Sequence, residues 1–531
     1  MPVEQSNRQE GVRTAEVVAA LCLATDLAMG FPFEHGLHAT QIAVRLSDRL
    51  EVDPKTASET YYACLLSYCG CTADAEIVAE TFGGDLTANF GPVLFGSQRE
   101  ILAGIVRALP DPDSSASVRA VQVARRLPKA TRGSKPHMIA LCEVGEMLAE
   151  RLGLPSAVHR LFATLTERWD GKGQLRRAEG DEIPPAMRIA NVARDAAVQH
   201  LLGGAERAAA VIRKRAGGAF DPQIADCLAD NAAEILTRDP QASAWEETLA
   251  AEPHPRLTLE GQAIDRALSA MGAFADLVSP SFVGHATGVA DLVAQAADRC
   301  RLDAVERGAV RRAALVHDLG RVAVPPHIWN RPGPLSADEW EQVRLHPYQT
   351  ERALSRSPFL AALAPLASAH HERLDGSGYH RGATAAALSP PARLLAVADA
   401  YHAMTQPRPH REPLAPERAA EILSEEASAE RLDADAVAAV LEATGQPVPR
   451  IERPGGLTER EAEVIGLLAR GLQTKQVAHA LGISVKTADR HIQNAYGKIG
   501  VSTRAAAAVF AMDHGLAAWG ELPIARAARP S

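Results

Sequence analysis

HHERLDGSGYHRG, from His370 to Gly382, joins two adjacent histidines to an acidic, glycine-rich loop. A second phrase, LTERWDGKGQLRR from Leu165 to Arg177, is nearly the same but lacks both histidines. Adjacent imidazoles are typical of metal ligands, whereas the shared glycines are typical of a tight loop. The sequence therefore predicts two related regions, of which only the second carries coordinating groups.

Three further pairs of phrases recur in the same order along the chain, which predicts an internal duplication. The pairs are HATQIAVRLSD (His38–Asp48) with HATGVADLVAQ (His285–Gln295), YYACLLSYCGC (Tyr61–Cys71) with RRAALVHDLGR (Arg311–Arg321), and RIANVAR (Arg188–Arg194) with RLLAVAD (Arg393–Asp399). Because the offset falls from 250 to 205 residues between the last two pairs, the first copy should contain an additional loop.

A chain of 531 residues is too long for one core and should form several domains. Proline-rich stretches favour connectors at Arg238–Thr258 and Gly445–Gly456. They divide the chain into a degenerate first copy at 1–240, a second copy at 258–445 and a C-terminal module at 457–519. Aromatic content is only 4%, and apolar residues recur three and four positions apart in Ala-, Leu- and Arg-rich segments. This pattern predicts an all-α fold.

Charge and composition exclude several classes of protein. The formal net charge of −9 argues against a chain coated with nucleic acid, although a small basic module is compatible with it. The N-terminus lacks the basic-then-apolar layout of a signal peptide. The apolar run Val17–Met29 is too short to span a bilayer and contains Asp26. We therefore expect a cytoplasmic protein with no membrane partner.

The second copy contains a set of imidazoles and carboxylates that suits transition metals such as Fe, Mn or Zn better than Ca. The candidate ligands are His285, His317, Asp318, His346, His370, His371 and Asp399. Seven groups can complete two four-ligand sites if one carboxylate, Asp318, bridges both ions. Two metals about 3.5–4 Å apart clamp a phosphate and activate water for in-line attack.

The phrases HDLGR, HPYQT, HHERLDGSGY and VADAYHAMTQPRPHR resemble the HD-GYP branch of the HD phosphohydrolases, over roughly Ile264–Glu425. Members of that family are all-α metalloenzymes, and many hydrolyse cyclic di-GMP. The resemblance implies that His285, His317 and Asp399 hold one metal and that His346, His370 and His371 hold the other, with Asp318 between them. It also implies that Asp318 and Arg321 are catalytic, that Gly376, Gly378 and Tyr379 form a substrate loop, and that Fe or Mn is the metal.

The sequence departs from the family pattern at three positions near these motifs. Arg321 replaces the lysine that follows HDxG, and an arginine binds phosphate with a different geometry. His380 replaces the proline of the GYP signature, so this loop loses a rigid residue. His402 replaces the second acid of ADxxD. Cyclic di-GMP hydrolysis is therefore one expectation, and hydrolysis of another phosphoester is a second.

The first copy has lost nearly all of the corresponding ligands. Ser67 and Tyr68 correspond to His317 and Asp318, Leu141 to His346, Leu165 and Thr166 to His370 and His371, and Arg194 to Asp399, while only His38 is retained. An arginine repels cations and replaces their charge, so this copy is predicted to be catalytically inactive. It can serve as a sensor, a dimerisation surface, a lid or a packing partner.

The C-terminal segment Leu457–Leu516 has the pattern of a helix-turn-helix. Thr458 and Glu461 have the spacing of a capping box, and Ser484 should cap a second helix, Val485–Ile499, after a turn at Gly482. The segment resembles the LuxR-type DNA-binding domain throughout. The residues predicted to contact DNA are Lys475, Lys486, Thr487, Arg490, His491, Asn494 and Lys498. A homodimer that contacts two half-sites is expected.

These features favour a transcription regulator that couples a metal-dependent, HD-GYP-like phosphohydrolase to LuxR-type DNA binding. A cyclic dinucleotide or another phosphoester would be its ligand. A different class of protein stays open at this point: a non-catalytic transcription factor whose metal site only senses a nucleotide or a metal. Turnover by the purified protein separates the two, because a sensor binds its ligand and leaves it intact.

Overall fold

Ala- and Leu-rich segments form helices along most of the chain, as seen in a computed structural model that describes residues 11–70, 82, 91–111, 114–239, 241–300, 302–448 and 453–517. The described residues divide into two compact units. The first comprises residues 1–283, 319–331 and 352–361, and the second comprises residues 284–318, 332–351 and 362–531. The predicted all-α fold class is confirmed, whereas the three-domain division stays a prediction.

The first unit is built around the helix Thr14–Met29, whose residues from Val17 to Asp26 are all buried. Its other α-helices are His35–Arg49, Pro54–Leu65, Gln98–Ala108, Ala116–Arg151, Ser156–Leu161, Pro185–Arg215, Pro222–Asp230, Ala232–Leu236, Ala244–Ala250, Gln262–Asp276, Pro326–Trp329 and Pro358–Ala361. Short 3-10 turns span Gly91–Val93, Phe162–Thr164, Gly180–Glu182, Pro280–Phe282 and Leu319–Ala323. The backbone leaves helical geometry at Gly203 and Gly204, inside Pro185–Arg215.

One feature of the first unit escaped the sequence pattern. Val12–Arg13 pairs antiparallel with Thr258–Leu259, in the register Val12 to Leu259. Two residues are too few to show the alternation that identifies a strand. The buried Glu252 carboxylate holds this ribbon, because it accepts hydrogen bonds from Arg13 Nε at 3.1 Å and from the Tyr62 hydroxyl at 2.7 Å.

The second unit contains the predicted site and the C-terminal module. Its α-helices are His285–Ala297, Ala304–Val316, Ala337–Arg344, the start of His346–Leu354, Ala364–Ala367, Pro390–Thr405, Pro416–Ser428, Ala434–Ala443, Glu459–Ala469, Thr474–Ala480, Val485–Ile499 and Arg504–Asp513, with 3-10 turns at Ala385–Ala387 and Pro454–Gly456. We call His285–Ala297 the His285 helix, Pro390–Thr405 the Asp399 helix and Val485–Ile499 the recognition helix. The His285 and Asp399 helices pack against each other.

The helix starts of the two units correct one detail of the predicted duplication. His35 and His285 are each the first residue of a helix, and each follows a residue with positive φ, Glu34 at 77° and Gly284 at 83°. The next helices begin at Pro54 and Ala304, after the aspartate caps Asp53 and Asp303. The two helix starts in the first unit each precede their counterparts in the second unit by 250 residues. The same separation holds between Ser67 and His317. Under the predicted duplication, the helix starts therefore align His35, rather than His38, with His285.

The C-terminal helices form their predicted caps. Thr458 and Glu461 make a capping box, and the Ser484 hydroxyl accepts a hydrogen bond from Thr487 N at 3.1 Å. Val464, Ile465 and Val477 are fully buried among the residues that join the four helices into one core. Among all the described residues, none of the helices is both long and apolar enough to cross a membrane.

Candidate functional site

The seven predicted ligands lie together in the second unit, in two adjoining groups. The first group contains His285, His317, Asp318 and Asp399, and the second contains His346, His370 and His371. Within each group, one potential ligand atom from every residue lies within 4.8 Å of the others. All seven are buried except His371, which is half-buried. The structure thus gathers residues that are more than 100 positions apart in sequence.

Asp318 lies between the two groups and turns one oxygen toward each. Its Oδ2 is 2.9 Å from His317 Nε2 and 3.3 Å from His285 Nε2. Its Oδ1 is 3.3 Å from the Nε2 atoms of both His346 and His370. Asp399 completes the first group, with Oδ1 3.0 Å from His285 Nε2. This is the geometry that a carboxylate needs to bridge two cations.

Three imidazoles are held in one tautomer by the backbone. The Nδ1–H groups of His317, His346 and His370 each donate to the carbonyl three residues earlier, at 2.7, 2.6 and 2.6 Å respectively. Because a carbonyl can only accept, each of these rings carries its proton on Nδ1. In the neutral form of each ring, the lone pair is then on Nε2, which lies toward Asp318. Metal-binding histidines commonly have this arrangement.

The spacing of two of these nitrogens shows that the donor set fits a cation. His346 Nε2 and His370 Nε2 are 3.1 Å apart. With both protons on Nδ1, two lone pairs face each other at that distance, and a cation between them relieves their repulsion. The carboxylates of Asp318 and Asp399 supply negative charge. Imidazoles and carboxylates together suit a divalent transition metal.

Burial and charge shift the protonation of the group in opposite directions. Burial alone lowers the pKa of His317, but the adjacent Asp318 and Asp399 carboxylates raise it to about 10. Burial lowers the pKa of His370 to about 4 and that of His371 well below its ordinary value. Burial would raise the pKa of Asp399, but its contacts with the imidazoles of His285 and His317 hold it well below its usual range.

The predicted substrate loop lies beside the second group. The buried Glu372 carboxylate shapes it by accepting hydrogen bonds from Arg381 N and Ala383 N, both at 2.8 Å. Gly376 has a φ of +80°, and a Cβ at Gly378 would lie 2.5 Å from His371 O. Both positions therefore require glycine.

Tyr379 links this loop to a candidate ligand. Its ring stacks on the His371 ring, with centroids 4.6 Å apart. The Arg344 guanidinium lies 5.5 Å from the Tyr379 centroid, and the half-exposed Trp340 ring is 6.3 Å from it. The sequence analysis missed Arg344 and Trp340, because no motif of their own marks them. The loop thus has both a cation and an aromatic surface beside it.

The predicted catalytic residue Arg321 lies in the first unit and is buried. Its guanidinium lies over the Phe282 ring at 4.3 Å and near the Trp329 ring at 5.8 Å. These contacts are favourable cation–π interactions. A role for Arg321 in binding phosphate stays a prediction.

The residues predicted to contact DNA are distributed over the helix Thr474–Ala480 and the recognition helix. Lys475, Lys486, Arg490, Asn494 and Lys498 are exposed, while Thr487 and His491 are half-buried. Thr487 Oγ1 lies 2.8 Å from the hydroxyl of Ser484. The Lys498 ammonium donates to the buried Glu461 carboxylate at 2.6 Å. Lys498 therefore stabilises the packing of the module, and the four other exposed residues are more available to a ligand.

Comparisons with known proteins agree with this architecture. Residues 270–436 match the HD domain family, and residues 456–511 match the family described as bacterial regulatory proteins, luxR family. The chain carries an HD domain and a LuxR-type domain. Over 439 residues it is 28% identical to the 3'3'-cGAMP-specific phosphodiesterase 3 of Vibrio cholerae serotype O1, an alignment that covers 81% of this chain and 94% of that protein.

Two further comparisons concern a shorter relative and a solved structure. Over 134 residues the chain is 37% identical to the cyclic di-GMP phosphodiesterase response regulator RpfG of Xanthomonas campestris pv. campestris, covering 25% of this chain and 35% of that protein. The crystal structure of a cyclic GMP-AMP-specific phosphodiesterase of V. cholerae, V-cGAP3, shares the fold, with a TM-score of 0.55 and 24% identity over 82% of this chain and 98% of that one. The chain is homologous to HD-GYP phosphodiesterases of cyclic dinucleotides.

One buried arginine contacts both the HD domain and the LuxR-type domain. Arg393, in the first turn of the Asp399 helix, donates to the carbonyls of Ala385 at 2.7 Å and Leu388 at 2.9 Å. The same guanidinium pairs with Asp433 at 3.1 Å and donates to the carbonyl of Gly515, which follows the last helix of the LuxR-type domain. The helix that carries a candidate ligand thus also contacts the LuxR-type domain.

The region predicted to be a degenerate copy contains an arginine where the HD domain has Asp399. Arg194 is buried, with its guanidinium 4.7 Å from the centroid of the Tyr68 ring. It donates to Asn191 Oδ1 at 3.1 Å and to the Leu165 carbonyl at 3.5 Å. Two of the residues that it contacts, Tyr68 and Leu165, lie at the positions that the sequence analysis aligned with Asp318 and His370. In the described part of the first unit, none of the His, Cys, Asp and Glu side chains form a group that could hold a metal ion.

Proposed function

We propose that this chain is a transcription regulator in which a metal-dependent cyclic dinucleotide phosphodiesterase controls a LuxR-type DNA-binding domain. The observation that carries the catalytic half is the position of Asp318, whose two oxygens each lie 2.9–3.3 Å from imidazole nitrogens of a different group. We assign one metal ion to each group, with Asp318 as the bridge. Mn or Fe suits the mixed imidazole and carboxylate donors.

The proposed substrate is a cyclic dinucleotide, with cyclic GMP-AMP the first to test. The relative that aligns over 94% of its own length is named for 3'3'-cGAMP, and a shorter relative is named for cyclic di-GMP. The residues around the second group support a ligand with phosphates and bases. Arg344 supplies a cation beside Tyr379, and the half-exposed Trp340 offers a face on which a base can stack.

Each part of the HD domain has a distinct task in this proposal. A bound metal pair supplies Lewis acidity for hydrolysis of the phosphodiester. Asp318 holds the two groups at a fixed separation, and the backbone carbonyls that bind Nδ1 orient His317, His346 and His370. The loop that Glu372 shapes places Tyr379 against His371, so this side of the site is already formed before the ligand arrives.

The test of the catalytic half is turnover by the full chain. Purified protein loaded with Mn²⁺ is incubated with 3'3'-cGAMP, cyclic di-GMP and a general phosphodiester such as bis(p-nitrophenyl) phosphate. We expect linear dinucleotide from at least one cyclic dinucleotide and much slower cleavage of the general ester. Tight binding of a cyclic dinucleotide without cleavage would instead establish a sensor. Preferential cleavage of the general ester would overturn the proposed substrate.

The DNA-binding half rests on the exposed positive face of the LuxR-type domain. Lys475, Lys486 and Arg490 are exposed, and helix-turn-helix modules place such residues against phosphates and base edges in the major groove. A duplex enriched from a random pool by the parent chain serves as the probe. Arg490→Ala should weaken binding to that duplex by about 1–3 kcal/mol, whereas Lys498→Ala should mainly lower the melting temperature. Equal affinity of the parent chain and Arg490→Ala would reject the assigned face.

The proposed control of DNA binding acts through Arg393. Its guanidinium contacts the turn that follows the substrate loop and also the end of the LuxR-type domain. A movement of one of these segments should therefore displace the other. In the full chain with Mn²⁺, a cyclic dinucleotide should change the affinity for the enriched duplex. Arg393→Gln should abolish this dependence and retain binding of each ligand alone. A variant that keeps the full dependence would contradict this route.

We also propose that a homodimer binds two half-sites of the duplex.

A further inference from the structure

The half-buried His402 ring lies beside a candidate ligand. Its Nδ1 is 3.0 Å from Nδ1 of His285, and the two ring centroids are 5.0 Å apart. His402 lies three residues after Asp399 on the Asp399 helix, so both side chains project from the same helix face. The opposite nitrogen of His285, Nε2, is 3.0 Å from Asp399 Oδ1. One helix thus contacts both nitrogens of the same imidazole.

The other buried histidines show what this contact does. His317, His346 and His370 each donate Nδ1–H to the carbonyl of the residue three positions earlier. His285 differs, because it is the first residue of its helix and its Nδ1 faces a side chain instead. A neutral imidazole can accept through one nitrogen while its other nitrogen carries the proton. His402 can therefore do for His285 what a carbonyl does for the other three.

We propose that His402 is a positioning residue that accepts the Nδ1–H of His285 and thereby directs the Nε2 lone pair of His285 toward the metal group of Asp318 and Asp399. His402 then carries its own proton on Nε2. This inference rests on the proposed metal centre and assigns a role to the residue that replaces the second acid of the motif. An imidazole replaces the acceptor of a carboxylate but not its negative charge.

The His285 helix is built to admit this ring. Gly288 lies one turn after His285, and a Cβ at Gly288 would lie 2.1 Å from His402 Nε2 and 2.8 Å from His402 Cε1. No real side chain tolerates such distances, so the ring occupies the space that a side chain at position 288 would fill. His402 and Gly288 therefore form a complementary pair, in which the larger residue depends on the smaller one.

The test measures Mn²⁺ binding by the metal-free full chain, with no nucleotide present. His402→Leu retains volume but removes the acceptor, and His402→Asn retains an acceptor oxygen near the position of Nδ1. Loss of a partner that orients a metal ligand typically costs 10–100-fold in metal affinity. We expect a loss of about that size for one of the two Mn²⁺ ions, the one assigned to the group that contains His285, in His402→Leu. Most of the lost affinity should return in His402→Asn.

Gly288→Ala provides the independent arm, because it displaces the ring without altering its chemistry. It should weaken Mn²⁺ binding in the parent chain and have a much smaller effect in the His402→Leu background, a non-additivity expected of contacting residues. Equal Mn²⁺ affinity of His402→Leu, His402→Asn and the parent chain would overturn this inference alone. A parent chain that takes up no Mn²⁺ would overturn both this inference and the proposed metal centre. The melting temperature of the metal-free variants separates a folding defect from a loss of affinity.

Discussion

The HD domain and the region at the start of the chain use similar local devices to position different chemistry. His35 and His285 both begin a helix after a residue with positive φ, and Asp53 and Asp303 both cap the helix that follows. The loops after the repeated phrases also share a buried glutamate, Glu167 and Glu372, which accepts hydrogen bonds from the loop backbone. The duplication itself stays a prediction, but these shared devices favour it.

The difference between the two regions lies in the side chains that occupy the centre. Asp399 in the HD domain contacts imidazoles that can hold a cation, whereas Arg194 supplies the positive charge itself and contacts Tyr68 and Asn191. A buried centre needs its charge balanced in either case. In one region an exchangeable ion is proposed to provide the balance, and in the other a fixed guanidinium lies among neutral groups.

The bridging carboxylate gives the largest expected contrast. Asp318→Ala should lower the affinity for Mn²⁺ by far more than the roughly 100-fold that the loss of an orienting partner costs. Hydrolysis should disappear with the metal. Tyr68→Ala, the change at the corresponding position of the first unit, should leave the Mn²⁺ content unchanged. Metal analysis of the two purified variants after dialysis is the measurement. Two ions retained by Asp318→Ala would refute the bridge.

A reciprocal exchange tests whether Arg194 replaces the metal charge. Arg194→Asp should not create a metal site, because the described residues around it do not form a group of metal ligands. It should lower the free energy of unfolding. The cost should be about 3–5 kcal/mol, as for other buried charges that lose their compensation. Chemical denaturation with and without Mn²⁺ measures both effects. An Arg194→Asp variant that is as stable as the parent chain, or that gains a Mn²⁺ ion, would contradict this role of Arg194.

The two loop glutamates offer a matched pair with a smaller effect. Glu372 accepts from two backbone N–H groups at 2.8 Å, so Glu372→Gln presents an amide nitrogen to one donor and should cost about 1–3 kcal/mol. Burial raises the pKa of Glu167, which accepts a backbone bond at 3.1 Å. Because this hydrogen bond is longer than those of Glu372, Glu167→Gln should cost less stability than Glu372→Gln. Thermal melting of both variants checks this order, and equal losses would argue that the loops are held alike.

The sequence predicted features that depend on local spacing and missed those that depend on tertiary contacts. The caps at Thr458 and Ser484 follow from residues three positions apart, and the all-α class follows from periodicity. The pairing of His402 with His285 and that of Arg393 with Gly515 join distant segments, and no motif marks them. The phrase match at His38 was misleading because it rested on three identical residues, HAT, at His38 and His285. The structure places the start of the first of these helices at His35. Whether the seven gathered side chains bind metal stays a prediction.

Acid should affect the first unit through a histidine that binds no metal. Burial and the nearby His38 lower the pKa of His35 to about 4, from an ordinary 6.5. Between pH 6.5 and 4, His35 is therefore protonated in the unfolded chain but neutral in the folded chain. The free energy of unfolding thus falls as the pH drops through this range. The shift corresponds to about 3 kcal/mol. His35→Phe should reduce this slope in urea denaturation of the metal-free chain, whereas the exposed His327→Gln should not. An unchanged slope in His35→Phe would contradict the assignment.

The most direct test of the central claim is anomalous diffraction at the Mn absorption edge from crystals of the full chain grown with Mn²⁺. The proposal predicts two adjacent peaks on either side of Asp318, one near His317 and Asp399 and the other near His346 and His370. It predicts no peak around Arg194. Absence of density beside Asp318, or a peak in the first unit, would contradict the division of the chain into a metal centre and a guanidinium-filled counterpart.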